Sequence, residues 1–155
     1  MLLSGCALAT KGRQQQVSIN SEPHGAAVLV DGVPAGQTPL VTKLPRKVSH
    51  RIELSKEGFV SASQFVKAEP NEYTRRFVRW GIDIDLGATN DLAPAAMNFS
   101  LVPVALATKT YGDAFERMIY AVLAADTLQE SGSISAEDHR YMIGQIIARY
   151  AGTGR

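Results

Sequence analysis

Few side chains in this sequence stand where they could do chemistry together. His24, His50 and His139 fall on a predicted turn, strand and helix, and no HExxH or other ligand spacing links them. Cys6 is the single cysteine, which excludes an internal disulfide and any multi-cysteine metal centre. As a nucleophile it would be remote in sequence from every histidine. Asp83, Asp85, Asn90 and Asp91 invite a calcium reading. An EF-type loop from Asp83 needs Asp or Asn at its fifth position and Glu at its twelfth, and Gly87 and Pro94 stand there instead. The glycines read as turn residues, with no phosphate-cradling loop or nucleophile elbow among them. The chain is therefore expected not to be an enzyme and to hold no metal or cofactor.

Basic residues cluster twice, as Arg46, Lys47 and Arg51 on one loop and strand, and as Arg75, Arg76 and Arg79 before Trp80. A solvated strand face is the plainer reading of such clusters, and an anionic partner, namely lipid headgroups, lipopolysaccharide or a cell-wall polymer, is the sharper one. Nucleic acid is not expected, because neither a stacking-aromatic module nor a recognition helix accompanies the charges.

The bulk properties are those of a folded protein. Apolar residues make up 45% and charged residues 20% of the 155, which argues against wholesale disorder. The net charge of +1 gives no global reason for a polyanionic partner. Its distribution is uneven: residues 1–80 carry 11 Lys and Arg against 6 Asp and Glu, and residues 81–155 carry 5 against 9. Two differently built halves are implied. No stretch reaches the roughly 18 apolar residues that a membrane-spanning helix needs.

The elements that must position these side chains are organised around Pro23–Leu40. Ala26–Val30 is a small, apolar run broken by Asp31-Gly32, and Asp-Gly between extended segments is a strong hairpin signal because both central residues of a type I′ turn need positive φ. Pro34 demotes the return to an edge or an irregular segment. Val17–Ser21, Leu40–Leu44, Ser49–Leu54, Phe59–Val66 and Met97–Val102 read as further strands, and Tyr73–Val78 as a possible extension. Strands at intervals of about 8–12 residues, separated by Gly and Pro, predict a sandwich.

From Thr110 the period becomes helical. Phe115, Met118, Ile119, Val122 and Leu123 follow i, i+3, i+4, i+7 spacing, and Ser131-Gly132-Ser133 ends the run. Ser135 then caps a second helix, with Glu137 and Asp138 in its first turn and Met142, Ile143, Ile146, Ile147 and Tyr150 on its apolar side. The two make an αα-hairpin. Its stripes either pack together and on the sandwich, or present Phe115, Met118, Ile119, Val122, Ile143, Ile146 and Ile147 as a docking face.

Pro23-His24-Gly25-Ala26, Asp31-Gly32, Gly36-Gln-Thr38-Pro39 and Gly58-Phe59 together resemble the signature of the PEGA domain, a small bacterial β-sandwich, with His24 where the name has Glu. The resemblance covers residues 17–66. Asp83, Gly87, Ala88, Leu92, Pro94, Asn98 and Leu101 match a spacing found after the module in envelope lipoproteins and extend it to about residue 104. It implies a binding or structural module rather than a particular chemistry.

Leu3-Ser4-Gly5-Cys6 resembles a bacterial lipobox, which implies that the preceding peptide is removed and that the Cys6 thiol takes a diacylglyceryl group. At about 0.8 kcal/mol per buried methylene, two or three acyl chains hold a protein stably on a membrane. Ala7 rather than Asp after the cysteine implies the outer membrane. Five residues precede Cys6, without a basic n-region, so a start upstream of Met1 or a trimmed leader is expected.

The sequence thus predicts an α+β chain. Residues 1–16 are lipobox and tether, 17–104 a small antiparallel β-sandwich with an extension, and 105–155 a C-terminal αα-hairpin. The expected role is a lipid-anchored, outer-membrane protein facing the periplasm or the cell surface, which binds envelope proteins as a structural or accessory subunit. The alternative is a lipoprotein that binds peptidoglycan or surface carbohydrate through Arg46, Lys47 and Arg51.

Overall fold

A computed structural model describes residues 12–72, 88–107 and 112–151. Alternating side chains build its strands. In β1 (Gln14–Glu22), Val17 and Ile19 point inward and are fully buried, while Gln14, Gln16 and Glu22 lie outside or at the rim. Ile52 and Leu54 do the same in β5 (His50–Ser55), and Val28 does so in the short β2 (Ala27–Val30). Fully burying one such side chain contributes roughly 1.5–3 kcal/mol.

Two sheets face each other across these residues. One has the order β4-β1-β8, with β4 at Leu40–Pro45 and β8 at Ala96–Ser100. The other has the order β3-β2-β5-β6-β7, with β3 at Val33–Gln37, β6 at Ala62–Pro70 and β7 at Asn90–Ala93. All pairings are antiparallel except β1 with β8, which runs parallel. The predicted β-sandwich followed by a helical hairpin is the observed fold.

Asp31 and Gly32 have φ of 53° and 81°, the two positive values that a type I′ hairpin turn demands, and β3 with Pro34 forms a sheet edge. Three details differ from expectation. The sixth strand begins at Ala62 rather than Phe59, because Gly58 turns the chain at φ 81° and the Phe59 ring leaves the sheet to pack against Tyr141, with centroids 6.0 Å apart. The unexpected β7 is polar in sequence, and Leu92 alone among its residues is buried. A short helix α1 (Val104–Ala107) follows the sandwich. The extension at Tyr73–Val78 lies outside the described residues.

The hairpin consists of α2 (Ala114–Glu130) and α3 (Ala136–Ala151). Asp113 starts α2 with a capping box, accepting from the Glu116 N–H while the Glu116 carboxylate accepts from the Asp113 N–H. At α3, the Ser135 hydroxyl oxygen accepts from the Asp138 N–H at 3.1 Å, as its N-cap role predicts. Ala121, Ala125, Ile134, Met142 and Ile146 join the core cluster of the sandwich, so the hairpin is docked on it. The joint is the β5–β6 turn. The Val60 N–H donates to the Val102 carbonyl, the Val104 N–H donates to the Gly58 carbonyl, and Met142, Ile134 and Leu128 close over the bare face of Gly58.

Candidate functional site

The signature residues form a hydrogen-bonded lock rather than a reactive centre. The Ala26 N–H donates to Thr38 Oγ1 at 3.0 Å, and Thr38 Oγ1 lies 2.6 Å from Ser21 Oγ, which donates to the Pro23 carbonyl at 2.6 Å. Because the single Ser21 hydroxyl proton goes to Pro23, the Thr38 hydroxyl donates to Ser21, and the chain runs in one direction. Thr38 and Ser21 are buried, so each donor and acceptor must be matched internally. Gly25 and Thr38 add backbone bonds between the same two loops, and Gly36 and Pro39 shape the β3–β4 end of the lock.

Asp31 has a second task beside its turn. Its carboxylate accepts from the Arg51 N–H at 2.8 Å and lies 2.7 Å from His50 Nδ1. His50 is buried, and its Nε2 donates to the Pro45 carbonyl at 2.9 Å. The hydrogen bond with His50, the Arg51 N–H and the His50 charge hold the Asp31 carboxyl below its ordinary range, against the opposing effect of burial.

The expected basic surface does not survive in its original form. Arg46 is enclosed, 8% exposed, rather than displayed on a loop. Its guanidinium donates to the Gln14 and Asn90 carbonyls and to Gln15 Oε1, and it pairs with the Asp91 carboxylate. It therefore joins β1 and β4 of one sheet to β7 of the other. Gln15 completes this seam, donating to the Leu92 carbonyl and accepting from the Leu92 N–H, so its amide occupies the β7 edge as a neighbouring strand would. Lys47 is exposed, and Arg51 is exposed with its Nε 3.1 Å from Glu53. Arg75, Arg76, Arg79 and Cys6 lie outside the described residues.

The expected helical face divides in two. Ile146 is fully buried, and Met118, Val122 and Ile143 pack partly buried against the core. Phe115 (65% exposed), Ile119 and Ile147 (53% exposed) face solvent, as do Leu123, which the periodicity did not separate from the buried set, and Tyr120. Phe115, Ile119 and Leu123 follow i, i+4, i+8 and form one stripe along α2. The bond between His139 Nε2 and Asp126, 2.7 Å, ties the facing sides of α3 and α2.

Where hairpin and sandwich meet there is a polar cavity of about 580 Å³, lined by Gly25, Lys56, Glu57, Ser61, Ser133 and Ser135 among others. Its lining includes the Lys56–Asp138 ion pair, Nζ to Oδ1 3.1 Å, with side chains only 16% and 9% exposed. Lys56 also donates to the His24 carbonyl, and Ser135 donates to Asp138 Oδ2 at 2.9 Å. Sequence reasoning missed this ion pair, since Lys56 and Asp138 belong to a strand end and a helix start with no spacing rule between them. Among the described residues, no group of three or more His, Cys, Asp or Glu could hold a metal ion, and no helix is long and apolar enough to cross a membrane.

This arrangement is a two-sheet β-sandwich carrying a helical hairpin. Residues 14–80 match the family of the PEGA domain, covering most of the sandwich and leaving β7, β8 and the helices outside the match. Searches of curated proteins and of solved structures give no match to the chain.

Proposed function

We propose that this is a lipid-anchored protein of the bacterial cell envelope, seated on the outer membrane and facing the periplasm or cell surface, which acts without catalysis as a structural or accessory binding subunit. The observation that carries the reading is the solvent-facing stripe of Phe115, Ile119 and Leu123. Exposed apolar side chains grouped on one element are a feature of protein–protein contact surfaces. The stripe sits on the side of α2 turned away from the core residues Ala121 and Ala125, and envelope proteins with complementary apolar surfaces are the partners it suits. The PEGA match adds support, because the domain is often found in extracellular and envelope proteins. Lipidation at Cys6 supplies the membrane attachment in this reading.

Two measurements test it. Metabolic labelling with a fatty-acid analogue should mark the wild type and not Cys6→Ser; an unlabelled wild type, or label retained in the variant, refutes the anchor. A photo-crosslinking residue at Ile119 should trap a discrete envelope-protein adduct that the same residue at Lys47 does not. Equal or absent adducts at both positions refute the stripe as a docking surface.

A further inference from the structure

The seam cavity does not end at the hairpin. A second hollow of about 330 Å³ runs over the outer face of the large sheet past Leu29, Arg51, Glu53 and Ser63, and it shares Ser55 and Ser61 with the first. The two together make an elongated, open groove from the α2–α3 loop across β5 and β6. We infer that this groove binds a neutral oligosaccharide.

Three features select that chemistry. Serine hydroxyls stand on both sides of it, Ser55, Ser61 and Ser63 on the sheet side and Ser133 and Ser135 on the hairpin side, where Ser133 is bonded to Ser131 and Ser135 to Asp138. Each hydroxyl both donates and accepts, as each sugar hydroxyl does, while the carboxylates of Glu57 and Glu53 accept. Next, both cations of the groove are already matched. Lys56 is held by Asp138, and Arg51 lies against Glu53. Glu57 adds a further negative charge, so an anionic polymer gains little and meets repulsion. Finally, an extended peptide lacks its usual handle. β5 is paired along both edges, by β2 and by β6, and offers no free strand edge for main-chain pairing.

This site differs from the carbohydrate face expected at Arg46, Lys47 and Arg51, of which Arg46 is enclosed. It is independent of the apolar stripe and of Cys6. No aromatic residue is part of the lining of either hollow, so a polymer held at several points suits the groove better than a single sugar.

The test is a titration of the isotope-labelled full chain, followed by amide chemical shifts, with cellotetraose, with chitotetraose and with a Gly-Ser peptide of similar length. The expected result is a saturable shift of the Ser55, Ser61 and Ser133 amides with at least one oligosaccharide and none with the peptide. Ser61→Leu, at the junction of the two hollows, should abolish the response while the remaining spectrum keeps its dispersion. Should Ser61→Leu fail to fold, Ser133→Leu decides, with at least a tenfold loss expected. No oligosaccharide response, a response to the peptide, or an unchanged response in the folded variant overturns the inference.

Discussion

Substituting Gly58 with alanine separates the two demands that the structure places on that residue. Gly58 has φ 81°, and an alanine there adopts the left-handed conformation at a cost of roughly 1–2 kcal/mol. Gly32 has the same φ, 81°, but an added Cβ there meets nothing within 4 Å. At Gly58 the Cβ would sit 2.5 Å from Met142 Cε, 3.2 Å from Ile134 Cγ2 and 3.3 Å from Leu128 Cδ1. Overpacking of this kind costs about 1–3 kcal/mol, and the flexible end of Met142 can retreat enough to favour the lower half of that range. Gly32→Ala should therefore lose about 1–2 kcal/mol and Gly58→Ala about 2–4 kcal/mol. Denaturant unfolding of the full chain, read as the shift in midpoint at constant slope, measures both. Met142→Ala opens the space, so the double variant Gly58→Ala, Met142→Ala should be more stable than the sum of the single losses implies, by about 1 kcal/mol. Equal losses at Gly32 and Gly58, or strict additivity in the cycle, would refute the docking of the hairpin on this turn.

Two further outcomes follow from the ion pairs. Arg46→Met keeps the stem volume but removes the guanidinium from the Asp91 carboxylate, the Gln15 amide oxygen and the Gln14 and Asn90 carbonyls; with Asp91 partly solvated, the loss should be about 2–3 kcal/mol in the same unfolding assay, and Arg46→Lys should recover less than half, because an ammonium cannot reach four acceptors as the guanidinium fork does. A depressed folded-state carboxyl contributes stability that is present above the ordinary aspartate value of about 3.9 and disappears as pH falls through the lower folded value. Wild type should accordingly lose more stability than Asp31→Asn between about pH 5 and pH 3, and parallel curves would refute the role given to the His50 bond.

The strands that bury one face were legible because their pattern is local: Ile52 and Leu54 alternate with charged Arg51 and Glu53, and the Asp31-Gly32 turn needs no information beyond itself. Arg46 was misjudged for the opposite reason. Its acceptors come from Gln14, Gln15, Asn90 and Asp91, which only the closing of the two sheets brings together, and in sequence it looks like any loop cation. β7 was hidden likewise, since its edge is satisfied by the Gln15 side chain and its Asn90-Asp91 start reads as a loop. On the helices, periodicity found the apolar residues but could not divide Ile119 from Val122, because that division depends on where the Gly58 turn seats the hairpin. The polar groove was illegible for the same reason: its serines are ordinary turn and strand residues until three segments converge on Lys56 and Asp138.

The place of β1 in its sheet has a mechanical consequence. It is the middle strand, held by six residue pairs to β4 on one side and five to β8 on the other, and the chain enters it from the amino terminus. A pull applied along the axis of β1 would load the hydrogen bonds on both sides in shear, so that they share the force. Any load entering at Gln14 thus reaches the sandwich through a strand that is paired on both sides.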